Sequence, residues 1–542
     1  MNMRFSEKTL WMALFFGLIL GYCLFYAPFG VNETDGGFLT GLAWQVLSGK
    51  VLYQDIIYVR PPLPIWLRAL ELQCLPEQFG VLGERWIFYL KLGLYSWLGA
   101  ALLERGTRRW VLATFGFVVS AHCYPAMAWH TVDGILFAVL AVYLFFTYNN
   151  GKWGYVAAVF AGITLFAALL CKQSFYPLFF IAGGTFFLFN WRKALLFFAG
   201  FLAAIGLFVN YLQSNNILES FLQMTNGAAA GGQAIQHGIV DYFRITPELA
   251  VPSLGLLAIG SILYLNQGNR KWLNLIWQAW LLSLVLSYAT ITWLRQAHTV
   301  PFAQARVLFW VAVVVIAGRI WQGGTWKKIQ EGKPTFIAVL LLGIGWSAAI
   351  SWGYNLPILF ATPLIWGVMQ VSDKLAIMTG HLKNWLAVGL LLVLIAVFRI
   401  GHEFVYRDGK RSEMTVSLGA TFPKFSGVYS SPQTLALYQD LKQLAEKYGA
   451  NFTVLPAFPQ ANYLTGTRPP LPLDWVVNRE TNADNKLIYK AIKALKPLMF
   501  IEKEYLEKIK LDPELSLTKE VLGAGVVLEE SRCFLVIQVS LE

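Results

Sequence analysis

Gly154-Tyr-Val-Ala-Ala-Val-Phe-Ala-Gly-Ile-Thr-Leu-Phe-Ala-Ala-Leu-Leu-Cys171 runs between Lys152 and Lys172 without a charged residue. At 1.5 Å per residue, a helix over this run reaches across most of a hydrocarbon core of roughly 30 Å. It is apolar on every face, so it has no side to offer to water. Runs of the same kind recur on both sides, at 9–28, 86–104, 109–126, 133–149, 174–190, 194–213, 248–266, 273–294, 303–321, 335–353, 357–372 and 384–400. The pattern predicts a polytopic α-helical membrane protein with about 13 transmembrane helices. The first run follows a basic start and lacks a small-residue cleavage pattern, so it reads as a retained helix.

Composition agrees. Of 542 residues, 56% are hydrophobic, 14% charged and 15% aromatic, and mean hydropathy is +0.52. A soluble domain carries about 25% charged residues. The net charge of +12 would suit a nucleic-acid binder, but from residue 401 onward 17 Lys+Arg face 17 Asp+Glu. The excess sits in the first 400 residues, on short loops with no room for a nucleic-acid surface, so no nucleic-acid partner is expected.

Loop charge explains the excess. Arg4, Lys8, Arg105, Arg108, Arg109, Lys152, Arg192, Lys193, Arg270, Lys271, Lys327, Lys328, Lys333, Lys374 and Lys383 fall at one set of helix ends. The other set carries little beyond Lys172, Arg295 and Arg306. The positive-inside rule makes the first set cytoplasmic. The expectation is a multi-pass protein of the plasma (inner) membrane, with residues 1–400 as the transmembrane domain. The N-terminus is then inside, and residues 401–542 form an α/β domain outside.

In that domain, strands are expected at Phe425–Tyr429, Asn451–Leu455 and 497–501, helices at Pro432–Tyr448 and about 484–496, and a closing strand pair near 522–541. The outer loop 29–85 holds two amphipathic pieces, 36–49 and 63–75, expected to lie in the interface. Five cysteines (Cys23, Cys74, Cys123, Cys171, Cys533) show no metal spacing; Cys74 and Cys533 could pair in an oxidising compartment.

Polar residues at membrane depth are costly and mark sites by default. Here they gather at the outer ends: Glu33 and Asp35 after the first helix, then Asp55, Tyr58 and Arg60, with His122, His130 and Asp133 between the third and fourth helices. Lys172 and Gln173 follow the fifth, and Arg295, His298 and Arg306 lie between the ninth and tenth. Several cations and few acids at one depth suit an anionic, membrane-borne substrate. His130 and Asp133 are also candidate ligands for a divalent cation, although metal dependence stays open. The bland readings are an N-cap for Asp35, which precedes a helix, and a snorkelling side chain for Arg60.

The runs Asn32-Glu-Thr-Asp-Gly-Gly-Phe38 and Leu52-Tyr-Gln-Asp-Ile-Ile-Tyr-Val-Arg-Pro-Pro-Leu63 resemble the first outer loop of GT-C glycosyltransferases. More narrowly they resemble the family 39 branch, relatives of protein O-mannosyltransferases and lipid A aminoarabinose transferases. Ala161 to Gln173, with its Lys-Gln ending, is similar to that family's fifth helix. The resemblance implies a GT-C-like fold and transfer of a sugar from a polyprenyl-phosphate donor to an acceptor hydroxyl on a glycan, lipid or protein. Asp35 matches the catalytic acid, with Glu33 as its nearest stand-in. Gly36 occupies a position where the family often has a second acid. The resemblance points to Arg60, through its basic-Pro-Pro motif, and Lys172 for the donor phosphate, with Arg306 a further candidate, and the polar cluster offers Tyr58, His130, Asp133, Gln173 and His298 as substrate contacts. The competing reading is a membrane transporter or lipid flippase. Repeat-type transporters show two similar halves with interrupted helices, a symmetry this sequence lacks.

The topology is directly testable. A reporter active only outside the cytoplasm is expected to be active when fused after Glu542, and inactive in the loops 104–109, 191–194 and 323–334. A folded but inactive fusion at Glu542 would mean that the helix count is off by one.

Overall fold

The computed structural model describes residues 6–123, 125–148, 151–226, 333–350, 380–482 and 484–539, with five further residues between 286 and 294. Its helices are α1 (Glu7–Phe25), α2 (Asp35–Leu47), α3 (Leu63–Cys74), α4 (Gly80–Leu103), α5 (Gly106–Cys123) and α6 (His130–Thr147). They continue with α7 (Lys152–Leu169), α8 (Pro177–Phe189), α9 (Trp191–Ser214), α10 (Leu218–Thr225), α11 (Lys333–Ile350) and α12 (Gly380–Glu403). Six stretches among the described residues are long and apolar enough to cross a membrane: Glu7–Phe25, Glu77–Leu103, His130–Thr147, Lys152–Leu169, Trp191–Ser214 and Lys333–Ile350. The expected spans at 248–266, 303–321 and 357–372 lie outside the described residues, as does nearly all of 273–294.

The opening run folds as α7. Gly162 of α7 and Gly200 of α9 let the two backbones meet. A Cβ at Gly162 would come 2.0 Å from the Phe197 carbonyl oxygen, and one at Gly200 2.2 Å from that of Val159. Without water to drive association, small residues that allow such approach are what hold helices together in lipid. Phe145 and Phe186 stack at 3.8 Å to join α6 to α8.

Beyond α12 the chain forms a mixed α/β region. Ser431 caps α13 (Pro432–Tyr448) by accepting the Thr434 amide, with Pro432 at the first helical position. A two-stranded ladder pairs β1 (Val416–Ser417) with β2 (Tyr429–Ser430). A four-stranded sheet runs in the order β3 (Phe452–Leu455), β4 (Leu498–Glu502), β6 (Phe534–Val539), β5 (Gly525–Glu530). β3 and β4 are parallel, and α14 (Lys486–Leu495) lies in their crossover. The expected strand at Phe425–Tyr429 is shorter and later. Pro423–Phe425 is a 3-10 turn and Gly427 turns the chain at positive φ, so pairing starts only at Tyr429. Cys74 and Cys533 are free thiols, so the bridge open to them is absent.

The 29–85 segment, expected above as the outer loop, and the C-terminal region are docked together. The Gly30 amide donates to the Tyr429 carbonyl at 2.8 Å, and the Tyr429 amide to the Pro28 carbonyl at 2.7 Å. Both expected interfacial pieces are helices, but α2 does not lie against lipid. Most of its residues are buried. Gly41 packs so tightly on Pro459 that a Cβ would come 2.2 Å from the proline carbonyl oxygen, and Phe38 meets Trp475 edge to face at 5.1 Å. Amphipathicity fixed one face of α2; the glycines on another face admit the 456–476 loop.

Candidate functional site

Asp35 is the first residue of α2 and is 5% exposed. Two residues that follow α12 hold one of its oxygens. The Tyr406 hydroxyl donates to Oδ2 at 2.9 Å, and an Arg407 guanidinium nitrogen lies 3.0 Å from the same atom. Arg407 also donates to the Thr34 hydroxyl at 2.7 Å. Oδ1 takes no hydrogen bond among the described residues, so this carboxylate is anchored on one side and open on the other. The N-cap reading of Asp35 is corrected: Thr34 is the cap position, no side chain caps the helix, and Asp35 is its first residue, where an acid suits the helix N-terminus.

Glu33 stands differently. Burial raises its carboxyl to about 8, and the nearby charges of Asp408 and Glu504 push the same way. A carboxyl among acids is poorly suited to an anionic donor.

Arg60 lies in the same outer loop. Its two terminal nitrogens meet both oxygens of Glu480, at 2.5 and 2.6 Å, in a planar fork. The guanidinium carbon sits 5.4 Å from the Phe38 ring centre. Burial alone would raise the Glu480 carboxyl, but the Arg60 charge and hydrogen bonds outweigh it and hold the group below its usual value. The same pairing holds Arg60 above its usual value despite burial. Asp55, the acid nearest Arg60 in sequence, does not pair with it but accepts the Val51 amide at 2.9 Å and closes its own turn.

Lys172 follows α7, and its ammonium lies 5.8 Å from the centre of the Trp129 ring. Among the described residues it makes no ion pair and no side-chain hydrogen bond. Burial pulls its pKa down to about 7, the Arg60 charge adds to that, and Glu480 and Asp35 oppose it. Asp35, Arg60, Glu480 and Lys172 thus share one electrostatic neighbourhood.

The remaining expected residues brace this neighbourhood. The Tyr58 hydroxyl is 2.6 Å from His130 Nε2, with the rings nearly parallel. Gln173 donates to the Val59 carbonyl at 2.6 Å and ties the start of α8 to the Arg60 loop. Asp133 faces elsewhere, 2.7 Å from the Lys91 ammonium of α4. Lys91 in turn reaches Glu71, Glu71 reaches Arg68, and Arg68 reaches Glu84, a ladder tying α3, α4 and α6. His130 and Asp133 therefore serve different partners, and no group of three His, Cys, Asp or Glu among the described residues is arranged to hold a metal ion. His122 sits apart, 2.5 Å from the Tyr22 hydroxyl. Arg295, His298 and Arg306 lie outside the described residues.

Three site residues escaped the sequence reading: Tyr406, Arg407 and Glu480. All come from beyond residue 400, and none sits in a motif. The only trace was a basic residue, Arg407, seven positions past the last apolar run.

No family model matches the chain, and no curated protein matches it. Among solved structures, it is similar to ArnT from Cupriavidus metallidurans in the apo state, at 11% identity over 98% of each chain and a TM-score of 0.43. It is similar to the archaeal oligosaccharyltransferase AglB from Archaeoglobus fulgidus in complex with an inhibitory peptide and a dolichol-phosphate, at 12% identity over 98% of this chain and 74% of that one, TM-score 0.46. The apo form of the Archaeoglobus fulgidus oligosaccharyltransferase is similar at 12% identity over 99% and 75% of the two chains, TM-score 0.46.

The Arg60–Glu480 fork makes a stability prediction. Arg60→Ala leaves Glu480, 3% exposed, with a buried and uncompensated charge, which costs about 3–5 kcal/mol. Thermal unfolding of the detergent-solubilised chain should show a clear drop in Tm, and the double change with Glu480→Gln should recover most of it. An unchanged Tm in Arg60→Ala would mean that the fork does not hold the loop.

Proposed function

We propose that this protein is a membrane glycosyltransferase that moves a sugar from a polyprenyl-phosphate donor to an acceptor hydroxyl on the outer face of the membrane, with inversion. The observation that carries this reading is the half-anchored Asp35. Its Oδ2 is bound to Tyr406 and Arg407, while Oδ1 is open, in a neighbourhood that also contains Lys172.

The chemistry follows from the groups present. A phosphate leaves readily as a stable anion, so the leaving side needs charge stabilisation more than a proton. The acceptor hydroxyl needs a base as it attacks the anomeric carbon, and Asp35 Oδ1 takes that proton. Lys172, the cation without a protein partner among the described residues, meets the phosphate as a point charge and stabilises the negative charge that grows as the bond breaks. Arg60, whose fork is filled by Glu480, positions the loop and adds its field. Tyr58, His130 and Gln173 keep that loop in register. The domain division supporting this is residues 1–400 as the membrane domain and 401–542 as an outer domain that supplies the partners of Asp35 and Arg60.

Lys172 gives the reading a pH signature. With no donor bound, its ammonium is present below about 7 and lost above it. Donor KM should therefore rise as the pH climbs through 7, and Lys172→Arg, which keeps its charge, should flatten the dependence. A KM that is constant between mildly acidic and mildly alkaline pH in the unaltered protein would remove Lys172 from the phosphate.

Asp35→Asn keeps the shape of the side chain and an oxygen for the Tyr406 hydroxyl. The variant should insert and bind donor, while transfer measured with labelled polyprenyl-phosphate sugar at saturating donor falls by about 10²-fold or more. Glu33→Gln should cost much less. Normal turnover in Asp35→Asn with an inactive Glu33→Gln would move the base by two residues. Normal turnover in both would remove the chemical basis for the transferase reading.

A further inference from the structure

Between the ends of α1, α4, α5 and α12 the structure holds a cavity of about 110 Å³. By the same measure one water needs about 10–15 Å³, so a group of several heavy atoms has room there. None of Asp35, Arg60 and Lys172 lines it, and it is therefore a second place, separate from the donor site proposed above.

Its charged lining residues are Glu84, Arg85 and Arg411. Glu84 is already committed: it pairs with Arg68 at 2.7 Å and accepts the Thr40 hydroxyl and the Ala128 amide. The two arginines are not. Arg85 donates to the carbonyls of Ala27 at 2.7 Å and Gly30 at 2.5 Å. Arg411 donates to those of His402 at 3.0 Å, Gly401 at 3.3 Å and Tyr26 at 3.4 Å. Carbonyls near helix ends orient a guanidinium and take some of its donors, but they carry no net charge to cancel its own. Asp408, beside Gly30, turns its Oδ2 to the Val31 amide and the Ser430 hydroxyl, both at 2.7 Å. Among the described residues neither arginine is ion-paired. A guanidinium has five N–H donors; Arg85 uses two and Arg411 three, so both keep donors as well as charge. Arg85 is 7% exposed, and a buried charge without a counter-charge is costly. Helix-end capping accounts for where each side chain lies. It does not account for two unpaired cations brought to one cavity, where each disfavours the other.

The two cations come from different elements, α4 and the segment after α12. A carboxylate offers two oxygens in one plane, which a single guanidinium fork saturates. A phosphate group spreads its oxygens tetrahedrally and carries up to two charges, enough for two forks. Phe29, Val31, Val81 and Phe404 line the same cavity and suit an organic substituent. We propose that this cavity is a second anion site, which takes a phosphate group between Arg85 and Arg411. Bound there, the group relieves both buried charges and bridges α4 to the chain beyond α12. The inference does not rest on Asp35 as a base. A lipid head group and a soluble phosphate ester share this chemistry, and the test separates them.

The test is calorimetric titration of the full chain, in nanodiscs of phosphatidylcholine, with inorganic phosphate. It is repeated in Lys172→Gln, which removes the contribution of the donor site. Phosphate should bind in both, and acetate should bind at least about tenfold more weakly. In the Lys172→Gln background, Arg411→Gln keeps an amide donor and loses the charge, and should weaken phosphate binding by about tenfold or more. Arg411→Lys should weaken it less. Should Arg411→Gln fail to fold, Ala126→Trp, which fills the cavity, takes its place and should abolish the binding. Native mass spectrometry with added phosphatidic acid then identifies the source. A lipid retained by the unaltered chain and lost in Arg411→Gln supports the site as one for a lipid head group; phosphate binding with no lipid retained supports it as one for a soluble ester. Binding that survives Arg411→Gln but not Lys172→Gln would place the phosphate at Lys172 and overturn the assignment. Acetate bound as tightly as phosphate, or no phosphate binding in Lys172→Gln, would overturn it as well. Sugar transfer is a separate readout: its absence, with phosphate binding intact, would remove the transferase reading and leave this site standing.

Discussion

A charge taken out of water must be given a partner, and here the partners of the outer loop's charges come from the far end of the chain. Asp35 and Arg60 sit on or beside α2, within the first 60 residues. Their counter-charges, Arg407 and Glu480, follow the last described apolar helix. Neither half could bury these groups alone at tolerable cost. The pairs make the fold of the outer loop conditional on the docking of the C-terminal region. The backbone bonds between Gly30 and Tyr429 and the contact of Gly41 with Pro459 belong to the same constraint.

Under the proposed function, that constraint explains how Arg60 and Lys172 would divide the work. A guanidinium already engaged on both nitrogens by a carboxylate is a poor place for a second anion, because a phosphate would have to displace Glu480 and leave it buried and unpaired. An ammonium packed beside Trp129 with no counter-ion among the described residues is the reverse case. Burial and Arg60 both disfavour its charge, and an arriving phosphate removes that penalty.

Much of the architecture was legible because its signals are periodic or additive. Apolar runs located the described membrane helices to within a few residues, and Pro432–Tyr448 was readable to the residue because a serine cap, a proline and a closing glycine bracket it. Asp35, Arg60, Lys172, Tyr58, His130 and Gln173 were legible as polar residues kept at one depth, and the structure gathers them. Their pairings were not. Asp55 stands five residues from Arg60 and was the natural guess, yet it closes its own turn, while Glu480 lies 420 positions away. A sequence shows which charges need partners, but distance along the chain carries no information about which partner a tertiary contact will bring. Asp133 has the same lesson in it, since its proximity to His130 in sequence hid its attachment to Lys91 on another helix.

The ladder from Asp133 through Lys91, Glu71 and Arg68 to Glu84 links the two sides of the site. Its first member lies on α6, three residues from the His130 that braces the Arg60 loop. Its last member lines the cavity beside Gly36 and holds the Ala128 amide. Buried ion pairs of this sort add little net stability, because desolvation offsets most of their attraction. What they do impose is register: Lys91, Glu71 and Arg68 each have a partner on both sides, so a helix that slips along its neighbour leaves charges unpaired. Under the proposed function, a base that serves a phosphate donor and an acceptor hydroxyl needs the helices around it fixed relative to each other, since small misplacements of reacting groups cost rate steeply. The ladder supplies that fixity through α3, α4 and α6.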